Sequence, residues 1–423
     1  MTRGVLIAAA IGVGGLILWI VLLRLDDHNR ETLAMDLLTA EAEAAGLPLR
    51  GSEVEPIPLS PESLAGWKRV ESALVTLRGA SRATQEQTAE AQTEAIRPAT
   101  EALRHIVLSA WDYRPDHAWG QTADPNFEDV ALGMNGISGL LQIALADARA
   151  GQTPAALESF DAATNLARTL GTRPTYLHAL AKMGWQKRLH QAAKELMDIA
   201  PESALDVAAM AANLGEYDPA LHFRGEIYLG LSAARTMTEA ELRKPGEAGE
   251  IDFSGGTAGE VRPLRDGRPE TALGRQLFAR LLSMWIRIYQ ASEPAAPFSD
   301  FAAAQRVLQA EIARASAGDE ADRLAAQSIR VFSVALPAFT RHQTDLRLME
   351  ALHQGLVYRT ANGRWPKTLA EAGVDDLQDP FSPPNPLRFA VNGPEIRLWS
   401  VGENGQDDEG AADDLVLTWR VRS

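Results

Sequence analysis

Hydrophobic positions along the chain fall into three regimes: one unbroken apolar run, a long stretch with helical spacing, and a short terminal stretch that alternates. The run is Gly4 to Leu23, 20 residues without a charge, bracketed by Arg3 and Arg24. At about 1.5 Å per residue it spans ~30 Å, the thickness of a bilayer's hydrocarbon core. Trp19 lies where an indole reaches the interface. The bulky end of the run and the acids Asp26 and Asp27 are unlike a signal-peptide cleavage site. The expectation is an uncleaved transmembrane helix over 4–23 with its amino terminus in the cytoplasm. Ala8 with Gly12, and Ala10 with Gly14, are small pairs at the spacing that lets a second helix pack closely.

Beyond the run the helical period takes over. Residues 32–45 form a short amphipathic stretch. Prolines at 48, 56, 58 and 61 then read as an extended spacer. Leu64, Trp67, Val70, Leu74 and Leu77 recur every third or fourth position and share one face. Ser60-Pro61 before them reads as a cap and first turn. Similar stripes predict helices at about 83–110, 129–150, 154–170, 174–199, 201–214, 218–242, 271–291, 299–316 and 319–359. Leu140 to Leu170, with Gly151 at the turn and Ala155, Ala156, Phe160 and Ala163 at packing positions, resembles one tetratricopeptide-like hairpin. No second copy follows at that repeat's period, and a plain antiparallel pair satisfies the same pattern. Arg243 to Gly274, rich in Gly, Pro and charge, reads as a long surface loop.

After Tyr358 the period shortens to two. Leu387–Val391, Glu395–Val401 and Leu415–Val421 are strand candidates. Asn392-Gly393 marks a hairpin turn. The predicted fold is mainly α: a transmembrane helix (4–23), a juxtamembrane helix and Pro-rich linker (24–66), a helical-hairpin body (67–327), and a small α+β module with a three-stranded antiparallel sheet (328–423).

Charge and composition narrow the function. The net charge of −15 argues against a nucleic-acid partner, since phosphate binding needs a basic face. With no cysteine, thiol catalysis, thiolate zinc and iron–sulfur chemistry are excluded. Between the last two strand candidates, residues 403–414 carry six acids among twelve residues and no base. Like charges packed this closely repel. A hard cation relieves the repulsion, and calcium takes carboxylate, amide and backbone oxygens of the kind found here. Gly402, Gly405 and Gly410 let a backbone curl around an ion. A solvated acidic loop is the plainer reading of the same composition. The loop is no EF-hand, because strands flank it and the closing Glu is missing.

Several motifs occur in order from Leu346 to Trp419: a helix ending in Tyr358, Asn362-Gly363-Arg364-Trp365-Pro366, Asp379-Pro380-Phe381, Pro386-Leu387-Arg388-Phe389, Leu398-Trp399-Ser400-Val401-Gly402, and Asp413-Asp414-Leu415 closing the acidic loop. This run resembles the globular half of the major pseudopilin of type II secretion systems, over less than a fifth of the chain. The resemblance implies a calcium-binding loop, with Ser400, Asn404, Asp407, Asp408, Asp413 and Asp414 as candidate ligands. Asn404 stands where that family usually has an aspartate, which lowers the charge offered to the ion. The chain departs from the family at its other end. The apolar run lacks the leader, phenylalanine and glutamate of a processed pilin helix, so neither peptidase processing nor fibre assembly is expected.

Catalytic motifs are missing: there is no His-Glu-x-x-His, no Gly-x-Ser-x-Gly elbow and no phosphate loop. The histidines read as surface or capping residues. Trp111, Tyr113 and Trp119 with Asp112, Asp116 and His117 form an aromatic–polar cluster that suits either a packed loop or a ligand groove. The expected function is a membrane-anchored extracytoplasmic scaffold, in a cell's inner membrane, that docks a protein partner and takes no small-molecule substrate. The alternatives are a divergent secretion or pilus component, and an enzyme with a site in the helical body.

Overall fold

A computed structural model describes residues 32–54, 59–109, 113–114, 128–215, 219–236, 238, 240, 266–291, 301–330, 332–374, 377–411 and 413–420. The expected transmembrane span, its small-residue pairs, most of the Trp111–Trp119 cluster and most of the Arg243–Gly274 loop lie outside them. The described chain is mainly helical, with a small antiparallel sheet near its carboxyl end.

Helix α1 covers 32–44. It is followed by a single turn, α2 (Gly51–Val54), and by α3 (Pro61–Ala83), α4 (Ala89–Ser109), α5 (Glu128–Arg149), α6 (Thr153–Leu170), α7 (Tyr176–Ile199), α8 (Ala204–Ala212) and α9 (Pro219–Thr236). Then come α10 (Ala272–Gln290), α11 (Phe301–Ser316), α12 (Glu320–Arg330) and α13 (Phe332–Asn362), and strands β1 (Arg388–Asn392), β2 (Glu395–Ser400) and β3 (Leu415–Arg420). The single long helix expected over 319–359 is two helices, α12 and α13.

The start of α3 follows from its sequence. Ser60 takes the extended backbone of a cap and its hydroxyl accepts from the Ser63 N–H at 3.0 Å, while Pro61 opens the first turn. Consecutive helices then pack as pairs. Gly151 turns α5 into α6 at φ +75°, and Ala156, Phe160 and Ala163 are buried between them. On α5, Gly133, Gly136 and Gly139 sit where a methyl group would meet Leu170, Leu74 and Leu77 respectively. Backbones approach there because no side chain intervenes. Among the described residues, α5 is the one helix long and apolar enough to cross a membrane. Leu132, Ile137, Leu140 and Ile143 are instead buried in the protein core.

The Pro48–Pro61 stretch departs from the expected spacer. Leu47, Leu49 and Val54 are buried, and Gly51–Val54 makes a helical turn. Arg224 donates to the Glu53 carbonyl and Arg235 to the Leu49 carbonyl at 2.9 Å, so α9 pins this segment. The prolines at 48, 56, 58 and 61 flank the turn rather than enter it, which leaves its backbone donors intact.

Helix α13 joins two cores. Phe332, Leu336 and Phe339 pack with Phe223 and Trp285 of α9 and α10. Further along, Leu348, Leu352 and Leu356 pack with the core of α3–α8 and with the sheet residues Leu398, Leu417 and Trp419. The sheet order is β1-β2-β3, antiparallel throughout. Gly393-Pro394 joins β1 to β2, with Gly393 at φ +56°.

Candidate metal centre

The acidic loop hangs from the β2–β3 register, in which Ser400 pairs with Leu415. Gly402 and Gly405 have positive φ, and a side chain on Gly402 would collide with the Asp413 carbonyl. This crossing returns the chain toward its start and gathers Asp408, Asp413 and Asp414, whose carboxylate oxygens lie within 4.8 Å of one another. Asn404 joins them. Its amide nitrogen donates to Asp408 Oδ2 at 3.0 Å and to Asp413 Oδ1, and its backbone N–H donates to Asp413 Oδ2 at 2.9 Å. The amide hydrogens thus sit among oxygens that would otherwise repel.

The six candidate ligands separate into two groups. Asn404, Asp408, Asp413 and Asp414 converge; Asp407 and Ser400 do not join them. Asp407 accepts from Trp399 Nε1 and from Arg388 Nε, both at 2.9 Å. The Trp399 bond, with Arg388 beside it, holds the Asp407 carboxyl below its ordinary value. Ser400 is fully buried, and its hydroxyl donates to Asp379 Oδ1 at 2.6 Å. Both residues serve the protein rather than the loop's centre, because each has a nearer partner of opposite polarity.

Asp379 was no candidate ligand, yet it organises the base of the site. It is fully buried and also accepts the N–H groups of Phe381 and Val401, each at 3.0 Å. This carboxylate fixes the end of β2 and the point where the loop departs. Arg341 on α13 pairs with Glu403 at 2.9 Å, and Arg397 donates to the Gly410 carbonyl at 2.8 Å. The loop is therefore held at its base, at one flank and near its tip. Three gathered carboxylates are donors of the kind a hard cation takes, while the Asn404 oxygen is occupied by the Gln406 N–H at 2.6 Å.

A second polar group went unseen in the sequence. His178 is buried, against the surface or capping position expected of the histidines. His222 and His342 are buried too. His178 Nε2 lies 2.8 Å from Asp129 Oδ2, and Nδ1 lies 2.6 Å from Thr175 Oγ1. Burial pushes the His178 imidazole below its ordinary pKa against the pull of Asp129. This Thr–His–Asp line has the order of a nucleophilic relay, but Thr175 and His178 are 0% exposed. Thr175 is the cap of α7 and accepts the His178 N–H at 3.2 Å. The arrangement is a locked helix start; the sequence signal was only the Thr-x-x-His spacing at 175–178.

Comparison with protein-family models, curated proteins and solved structures returns no match.

Proposed function

We propose that this chain is a membrane-anchored extracytoplasmic scaffold whose C-terminal module binds Ca2+ through Asn404, Asp408, Asp413 and Asp414. The convergence of those carboxylates on a loop fixed by Asp379 carries the reading, because repulsion held in place is what a divalent ion relieves. Residues 4–23 supply the anchor, in an inner membrane with the bulk of the chain outside the cytoplasm. The helical body and α13 present the module to a protein partner. Ca2+ would cross-link the two ends of the loop and so stiffen the β2–β3 connection.

A divergent secretion or pilus-associated component is the second reading. It is favoured by the contacts among the ordered motifs: Trp365 meets Trp419 edge-to-face at 6.0 Å, and Asp379 clamps Ser400 and Val401. Residues of separate motifs thus pack against one another in one folded unit.

The test is the melting of the full-length protein in detergent with calcium or with EGTA. At about 100 times its Kd the ion adds about 2.7 kcal/mol to the stability of the unit that binds it. Asp408→Asn/Asp413→Asn is expected to erase that shift. Equal melting with calcium and EGTA, from micromolar to millimolar ion, refutes the calcium reading.

A further inference from the structure

The sheet stops at β1, which pairs with β2 alone. Gly393-Pro394 closes the hairpin at the Asn392–Glu395 pair. Two-residue hairpins close on a hydrogen-bonded pair, and antiparallel pairing alternates from there. The N–H and C=O groups of Phe389 and Val391 therefore point away from β2. Their side chains take the opposite course. Phe389 stands across from Leu398 and Val391 across from Ile396, and those two partners are fully buried on the α13 side. The apolar layer of the module thus reaches its open edge, where Val391 is 40% exposed.

Beyond that edge runs a groove of about 630 Å3, lined by Phe389 and Val391 on one side and by Arg359, Arg364, Trp365 and Lys367 on the other. The groove borders Phe389, Ala390 and Val391 of β1, the strand whose outer edge is open. Its far wall is basic, in a chain of net charge −15: residues 359–367 hold Arg359, Arg364 and Lys367 and no acid. Arg364 pairs with Glu371 at 3.2 Å. The Arg359 guanidinium lies over the Trp365 ring at 5.0 Å, which leaves its edge for an acceptor. Among the described residues, neither Arg359 nor Lys367 makes an ion pair.

We infer that the β1 edge and the 359–367 wall receive an extended acidic segment of another protein, which adds as a fourth strand. The partner's backbone bonds Phe389 and Val391, every second side chain covers the apolar floor, and its carboxylates meet Arg359 and Lys367. An acidic occupant follows from the sign of the wall. A basic or neutral strand would leave the two cations uncompensated in a groove it dehydrates. The inference deepens the scaffold reading by giving it a docking face. It depends on neither the anchor nor the cation.

The probe is a fluorescein-labelled peptide alternating Glu with Val and Thr over about eight residues, enough to pair along one strand. Its binding to the full-length protein in detergent is read by fluorescence anisotropy, with calcium and with EGTA. A Lys-for-Glu peptide is the matched control. Arg359→Glu/Lys367→Glu is expected to weaken the acidic peptide at least about tenfold and to reverse the preference for it over the Lys peptide. Val391→Pro, which removes an outward N–H and changes one apolar side chain of the floor, should weaken both peptides. Arg420→Glu on the far edge strand should change neither. The inference is overturned by no binding up to millimolar peptide, by equal affinity for both peptides, or by affinities that survive the β1 and wall variants. It is also overturned if sedimentation shows a self-association abolished by those variants, which would make a second copy the occupant. Loss of calcium-dependent melting with peptide binding intact removes the cation and leaves the docking face.

Discussion

Replacing Asp379 with Asn isolates what holds the C-terminal module in register. The wild-type carboxylate accepts three hydrogen bonds while fully buried, from Ser400 Oγ and from the Phe381 and Val401 N–H groups. Asn keeps the size and one oxygen. That oxygen can retain Ser400 and Phe381, but the new NH2 then faces the Val401 N–H, donor against donor. One charge-assisted bond is lost and a buried N–H is orphaned, at a cost of about 2–4 kcal/mol. The loss is local, so hydrogen exchange reads it better than a global melt. Protection of the Val401 amide is expected to fall by about two orders of magnitude, the equivalent of ~2.8 kcal/mol. Peptides covering 395–420 should lose protection with it, while those from α5 and α6 should not. Ser400→Ala, which removes the bond to Asp379 and the longer one from the Gly402 N–H but no charge, should cost about 1–2 kcal/mol. If Asp379→Asn changes Val401 protection by less than about threefold, the carboxylate is not the clamp.

Three further outcomes follow. Gly136→Ala places a methyl group against Leu74 and against Leu166 Cδ2 at 2.9 Å; it should cost about 1–3 kcal/mol in chemical denaturation, and a neutral result would mean that α3 and α5 are less closely packed. His190 is held down to about 4 from 6.5 by burial. The unfolded chain therefore binds its proton first, so stability conferred by neutral His190 is full above 6.5 and is lost as pH falls toward 4. His190→Gln should flatten the dependence of melting temperature on pH in that window, and parallel profiles would refute the assignment. In EGTA, Asp413→Asn should change stability by less than about 1 kcal/mol, since relief of one of three clustered charges offsets the weakened bonds from Asn404; a larger drop would mean that capping outweighs the repulsion on which the cation reading rests.

Periodicity determined much of the fold. Of the predicted stripe, Trp67, Val70, Leu74 and Leu77 became the buried face of α3 while Leu64 is only half-buried, and Ser60-Pro61 became its start, because caps and spacing act within a few residues of each other. The three strands were legible for the same reason, because alternation is local, although the hairpin turns on Gly393-Pro394 and Asn392 stays in β1 paired with Glu395 rather than turning with Gly393 as expected. So was the presence of an acidic loop, though its composition did not say which oxygens converge. The tertiary structure alone decided that Asp407 turns to Arg388 and Trp399, that Ser400 belongs to Asp379, and that Asp408, Asp413 and Asp414 gather with Asn404 bonded to two of them. It also decided that His178 is buried on Asp129, 49 residues away in sequence. A polar residue's surroundings are set by elements distant in the chain, and no local period encodes them. The segment around Gly51 shows the same limit: its prolines forbid a long helix, but only α9 supplies Arg224 and Arg235 to hold a single turn in place.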